Sequence, residues 1–329
     1  YLQLLQLFAT PYDDAEHTAG IILKDRVERE ELPRSTKAET VQAIERLLKE
    51  ALTAFDTTTR PPYGSAPGFV NAATARVLLA RLYLYAGDWA KAEEVTRTLV
   101  PAMLSASMVP TTPLAWSQGA STIALFASSV PVTYYNSIYA QAKSATNATY
   151  QLPQRSYFAS TDLRHRSYAL DSTLQVDATT SRSLQIVGKY AAFLFAGGLP
   201  SYNCVVRTTE PIFLRAEALA RSGDETAARD LLNSYLRLVS ADEVASTVTG
   251  TALINAIIAE KAREFVGEGL RFFDLKRLGL PIEHYTPNEE RVSLTLPAGS
   301  YKRTLPLPAS ERSNKNLGAQ NPGWPELTH

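Results

Sequence analysis

Apolar residues recur at helical spacing in several stretches of the chain, and two of those stretches share one layout. Asn71 to Leu99 carries Leu78, Leu79 and Leu82 on one face, breaks at Gly87-Asp88, and resumes with Trp89, Ala92, Val95 and Leu99. A 3.6-residue period on both sides of a glycine predicts two antiparallel helices around a tight turn. Gly87 suits the left-handed position after a helix, and Asp88 suits the cap of the next. Pro211 to Val239 repeats the pattern. Ala216 takes the place of Ala80, Gly223-Asp224 that of Gly87-Asp88, and Ala228 that of Ala92, while Leu231, Leu232, Tyr235 and Val239 continue the stripe. Pro211 fits the first turn of a helix, where its missing N–H would be unpaired anyway. Two units so far apart are not a continuous solenoid. They predict a mostly α-helical scaffold with a long insertion.

Leu79-Ala80, Tyr83, Gly87, Trp89 and Ala92 resemble the tetratricopeptide pattern, in which small residues let two helices approach closely. A further helix is expected over Lys37 to Phe55, with Thr36 and Glu39 as a capping box and Val41, Ile44, Leu48, Leu52 and Phe55 on one face. Another begins near Thr251 and carries Leu253, Ile254, Ile257, Ile258 and Phe265. The opening Tyr1-Leu2-Gln3-Leu4-Leu5-Gln6-Leu7-Phe8 reads as the end of a helix already under way, so an N-terminal portion is expected to precede it. Between Leu104 and Glu210 the helical period is lost in favour of serine, threonine and aromatic residues. That stretch is too aromatic for a disordered linker, and short strands with ordered loops are expected. From Pro281 onward the chain is proline-rich, with a short strand expected at Val292–Leu296. The resulting organisation is a single domain over 1–329. Its scaffold covers about 1–104 and 210–280, its insertion about 105–209, and an irregular C-terminal segment 281–329.

Composition narrows the function. Lysine plus arginine and aspartate plus glutamate both number 33, so the basic excess of a nucleic-acid-binding protein is absent. No apolar run approaches the roughly 20 residues of a membrane-spanning helix. Cys204 is the single cysteine, which excludes an intrachain disulfide and a cysteine-based metal cluster. No phosphate-cradling loop, His-Glu-x-x-His helix or Gly-x-Ser-x-Gly elbow occurs, and His17, His165, His284 and His329 are scattered. Gly267-Glu268-Gly269 lacks the third glycine of a dinucleotide loop and is expected to lie within a helical stretch. The adjacent pairs Asp13-Asp14, Asp242-Glu243 and Glu289-Glu290 do not face each other across a substrate as glycosidase carboxylates must. No catalytic residue, cofactor or metal is expected.

The segment Glu260-Lys261-Ala262-Arg263-Glu264-Phe265-Val266-Gly267-Glu268-Gly269-Leu270-Arg271-Phe272-Phe273-Asp274-Leu275-Lys276-Arg277 resembles the C-terminal signature of the SusD/RagB family. Arg34-Ser35-Thr36, Phe213-Leu214-Arg215-Ala216-Glu217-Ala218, Leu305-Pro306-Leu307-Pro308 and Asn321-Pro322-Gly323-Trp324 agree in order and character. Ala262 stands where an arginine is usual, and Trp324 where tyrosine is common. Within the signature, Arg263, Glu264, Phe265, Glu268, Gly269, Arg271 and Asp274 read as a structural set. Glu260–Arg263, Glu264–Glu268 and Asp274–Arg277 have helical neighbour spacing, and because the second pair is like-charged an arginine such as Arg263 or Arg271 is expected between or against Glu264 and Glu268.

The resemblance implies a lipoprotein of the bacterial outer membrane, exposed at the cell surface and anchored only through an N-terminal lipid outside this sequence. It implies a SusC-like TonB-dependent transporter as partner, an oligosaccharide as ligand, and no enzymatic activity. A peptide ligand, as in the RagB branch, and a glycosidase on the same scaffold are the alternatives. Sugar rings stack their C–H faces on aromatic side chains. Trp116, Tyr134, Tyr135 with Asn136, and Tyr157 in the insertion, and Tyr12 before the first complete helix, are the candidate ligand residues.

Overall fold

Both predicted hairpins form around the turn chemistry that their sequences carry. The computed structural model describes residues 1–28, 30–57, 70–100, 105, 108–109, 122–127, 152, 157–175, 179–189, 202–285 and 292–326. Its helices are α1 (Leu2–Phe8), α2 (Lys37–Thr57), α3 (Ala72–Ala86), α4 (Trp89–Arg97), α5 (His165–Tyr168), α6 (Glu210–Arg221), α7 (Glu225–Leu238), α8 (Gly250–Glu264) and α9 (Arg271–Arg277). The strands are β1 (Thr122–Ala127), β2 (Ala169–Gln175), β3 (Ser181–Val187), β4 (Tyr202–Arg207), β5 (Ile282–Tyr285) and β6 (Val292–Leu296).

Gly87 ends α3 with φ at 77°, and the Asp88 carboxylate accepts the Lys91 amide to open α4. In the second hairpin Gly223 has φ at 92°, and Asp224 accepts the Ala227 amide at the start of α7. Thr36 and Glu39 exchange hydrogen bonds at the head of α2, as the capping box requires.

Helix α6 joins the two hairpins because both of its faces are apolar. Ile212, Phe213 and Ala216 pack with Leu232, Tyr235, Ile257 and Phe265, whereas Leu214 and Ala218 pack with Val77, Leu79, Ala80 and Ala92. Ala80, Ala92, Ala216 and Ala228 are fully buried. A larger side chain at any of them would push the helices apart. The Phe213 ring meets Tyr235 and Phe265 edge-on, with centroids 4.9 and 5.8 Å away.

Strand β1 pairs antiparallel with β4, β2 with β3, and β5 with β6, each as a two-stranded sheet. The strand expected at Val292–Leu296 is therefore present as β6. The N-terminal loops are tied to the scaffold by buried cations. Lys276 Nζ donates to the carbonyls of Gln6 and Ala9, each at 2.7 Å, and Lys37 Nζ to those of Pro11 and Asp14 at 2.6 and 2.7 Å. Arg34 donates to the Gly20 carbonyl and to Asn321, whose side-chain amide in turn donates to the carbonyls of Phe8 and Leu305.

The signature is not one continuous helix. Helix α8 ends at Glu264, and Gly267 and Gly269 both take φ of 78° before α9 begins. Left-handed residues of this kind end a helix, so Glu264 and Glu268 are not neighbours on one helical face.

Candidate functional site

Helix α8 and the turn after it bring the signature charges against residues from the middle of the chain. Glu264 is fully buried and accepts hydrogen bonds from Tyr168 Oη at 3.0 Å, from Thr209 Oγ1 at 2.9 Å and from Tyr235 Oη. The Arg207 guanidinium lies 2.6 Å from the same carboxylate and 3.0 Å from Glu268, which also meets Lys189 Nζ at 2.5 Å. Thus Arg207 and Lys189, and not Arg263 or Arg271, compensate the two glutamates. Arg263 pairs with Glu260 one turn earlier, and the break at Gly267 turns Glu268 away from it. Burial alone would push the Glu264 carboxyl up, but Arg207, Lys189 and Arg164 outweigh it and hold the group below its ordinary value. Burial pushes the Lys189 amine down to about 8, with Glu268 opposing.

A second buried set joins α6, α8 and α9. Asp274 lies 2.9 Å from Lys261 and 2.7 Å from Arg277, which in turn lies 2.6 Å from Glu217. Burial raises the Asp274 carboxyl, yet Lys261 and Arg277 bring it down to about 2. Phe265 sits in the core and Gly269 in the turn. In both sets the charged groups satisfy one another inside the protein, the geometry of ties between helices.

Open space with chemical variety occurs beside the signature. A cavity of about 430 Å³ is bounded by Tyr157, by Ala262 and Arg263 of α8, by Arg271 and Phe272 of α9, and by Glu283 and Tyr285 of β5. The Tyr157 ring stands edge-on to Phe158 at 5.2 Å, and its hydroxyl donates to the Ala262 carbonyl at 3.3 Å. Burial raises that hydroxyl's pKa, and Arg263, Arg271 and Arg164 oppose the shift. Tyr285 donates to Glu283 at 3.1 Å across the outer wall. Arg271 is exposed and makes no hydrogen bond or ion pair with any described residue. Three half-buried rings with an exposed guanidinium that no described residue pairs, and a carboxylate, offer apolar faces to a sugar ring, a donor, and an acceptor for its hydroxyls.

Tyr12 lines a different cleft, of about 370 Å³, together with Tyr85, Trp89 and Arg221. Its ring is tilted 59° against Tyr85 at 5.6 Å, and the Arg221 guanidinium covers Trp89 at 4.8 Å. The structure therefore places Tyr12 and Tyr157 in separate clefts. A third cavity is lined mainly by aliphatic side chains such as Leu2, Ile44, Leu48, Leu78 and Leu84, and its charges are already paired, Arg81 with Glu210 at 2.5 Å. Trp116, Tyr134, Tyr135 and Asn136 lie outside the described residues. Sequence reasoning missed Phe272 and Tyr285 as cleft residues. Phe272 was absorbed into the signature, and Tyr285 has no periodic context.

The architecture defines a class: helical hairpins of tetratricopeptide type carrying an inserted, strand-containing segment. The sequence profile of the SusD family matches residues 132–324, more than half of the chain, and the chain belongs to that family. No curated protein matches it. Solved structures share its fold. A SusD superfamily protein from Bacteroides vulgatus is 23% identical, with a TM-score of 0.73 over 99% of this chain and 75% of that one. A SusD-like carbohydrate binding protein from the same organism is 20% identical, with a TM-score of 0.75 over 96% and 74%. A SusD superfamily protein from Bacteroides thetaiotaomicron is 19% identical, with a TM-score of 0.69 over 98% and 75%.

Proposed function

We propose that the chain is a cell-surface protein that captures an oligosaccharide and delivers it to a SusC-like TonB-dependent transporter of the outer membrane, without transforming it. Membership of the SusD family supports this reading, as does the carbohydrate-binding description of one structural neighbour. The observation that carries it on this chain is the Tyr157 cleft, where Tyr157, Phe272 and Tyr285 surround Arg271 and Glu283. Rings fix few torsions on binding, so they supply contact area at small entropic cost. Phe272 sits at the start of α9, Tyr285 on β5, and Tyr157 is held by its hydrogen bond to the Ala262 carbonyl of α8, which leaves the rings preorganised.

In this reading the buried ion ties hold α8 and α9 at the spacing the cleft requires, and Trp116, Tyr134, Tyr135 and Asn136 of the 105–209 insertion are further candidate ligand residues. Attachment to the membrane is through a lipid on a preceding segment. No helix among the described residues is long and apolar enough to cross a membrane. Calorimetry of the purified protein against glycans and protein digests tests the ligand class, and assays for released reducing sugar test the absence of catalysis. Glycan binding without new reducing ends is expected. Binding confined to peptides, or glycan cleavage, would replace this reading with its alternatives.

A further inference from the structure

We propose that the Tyr157 cleft selects an oligosaccharide bearing one carboxylate, a uronic acid residue, anchored by Arg271. This deepens the reading of the cleft as a glycan site and rests on it.

The charges around the cleft are committed unevenly. Asp162 lies 2.6 Å from Arg164, and both are buried. Glu260, mostly buried, lies 3.0 Å from that same Arg164 and also pairs with Arg263. The fully buried Arg164 therefore holds both carboxylates, neither of which lines the cavity, and Arg263, about 38% exposed, pairs with Glu260 and does line it. Arg271 is exposed beside it without any partner among the described residues. The cavity lining thus presents two guanidinium groups to an incoming molecule, while those two carboxylates are not part of it. Neutral hydroxyls ask little of a free guanidinium. A carboxylate accepts two parallel N–H bonds from it, the pairing for which its planar fork is suited.

Glu283 limits the anion to one position. It lies on β5, exposed, lines the same cavity and accepts the Tyr285 hydroxyl. A second negative charge beside it meets repulsion, whereas a sugar hydroxyl there donates to the carboxylate. One uronate between Arg263 and Arg271, with neutral rings toward Tyr285, satisfies the arginines and Glu283 alike. The cavity of about 430 Å³ leaves room for the rings against Tyr157 and Phe272.

The test uses paired probes, each acid carrying one carboxylate: glucuronosyl-cellobiose and glucuronic-acid-substituted xylotetraose, each beside its carboxyl-reduced counterpart, titrated calorimetrically at low and high salt. At least one acidic member is expected to bind about tenfold or more tighter than its neutral partner, with the preference shrinking as salt rises. Arg271→Gln should erase the preference, and Arg271→Lys should keep part of it. Melting temperature confirms that each variant folds. Equal affinity of acidic and reduced members, or a preference untouched by Arg271→Gln, overturns the selectivity and leaves glycan capture standing. Failure of all four probes together with binding of protein digests removes the glycan reading itself.

Discussion

Arg207 and Glu264 stand 2.6 Å apart, both fully buried, although 57 residues separate them in the chain. The pair joins the end of β4 to the end of α8, so it fixes the insertion to the scaffold. Around it Tyr168, Thr209 and Tyr235 saturate the carboxylate. Removing one member leaves the other charge uncompensated in a dry interior. Glu264→Ala should lower unfolding free energy by roughly 3–5 kcal/mol, measured by chemical denaturation. A loss below about 1 kcal/mol, the range of exposed pairs, would contradict the structural role.

Arg271 provides the matching negative case. It belongs to the same signature, yet it is exposed and unpaired among the described residues. Arg271→Ala should change stability by no more than about 0.5 kcal/mol, as for other surface substitutions. A larger loss would mean that the residue braces the fold instead of facing the cleft.

Acid should weaken the protein before most neutral ties fail. Asp274 is brought down to about 2, and Glu217 and Glu264 are also held below their ordinary values by neighbouring cations. For a depressed carboxylate the stabilisation is complete above the unfolded-state value and is lost as pH falls through the folded one. Unfolding free energy should therefore fall as pH drops from about 5 toward 2. In Glu264→Gln the slope over that window should be shallower, since one of the contributing carboxylates is gone. An unchanged slope would remove Glu264 from the cause.

Gly267 is held at φ of 78°, and a β-carbon there would come 2.8 Å from Val187 Cγ1. Gly267→Ala combines left-handed strain with a clash between the signature turn and β3. A destabilisation of about 1–3 kcal/mol is expected from thermal melting. A neutral result would show that the turn relaxes freely, and that its conformation is not what ends α8.

The helical scaffold was legible because its information is local. Gly87-Asp88 and Gly223-Asp224 encode their turns within two residues, and Ala80, Ala92, Ala216 and Ala228 mark the close approach of helices without any partner being named. The capping box at Thr36 and Glu39 is equally local. The ion ties were not legible in the same way. Helical spacing finds Glu260 with Arg263, but it has no means of matching Glu264 to Arg207 or Glu268 to Lys189, which meet only through the fold. The same limit hid the cleft: Tyr157, Arg271 and Tyr285 come from three elements joined by tertiary packing. Aromatic content pointed to Tyr157 and Tyr12 individually, and the structure sends them to different clefts.

The most direct measurement of the central claim is glycan affinity by calorimetry in wild type, Tyr157→Leu and Tyr285→Ala, with melting temperature recorded beside each. Glycan capture at this cleft predicts measurable binding in wild type and a loss of about tenfold or more in each variant, since aromatic anchors carry a large part of such binding. Melting should stay nearly unchanged for Tyr285→Ala, whose hydroxyl bonds, among the described residues, only the exposed Glu283. Wild-type affinity in both variants would place the ligand elsewhere on the protein, and no glycan affinity in any of the three would contradict the capture function outright.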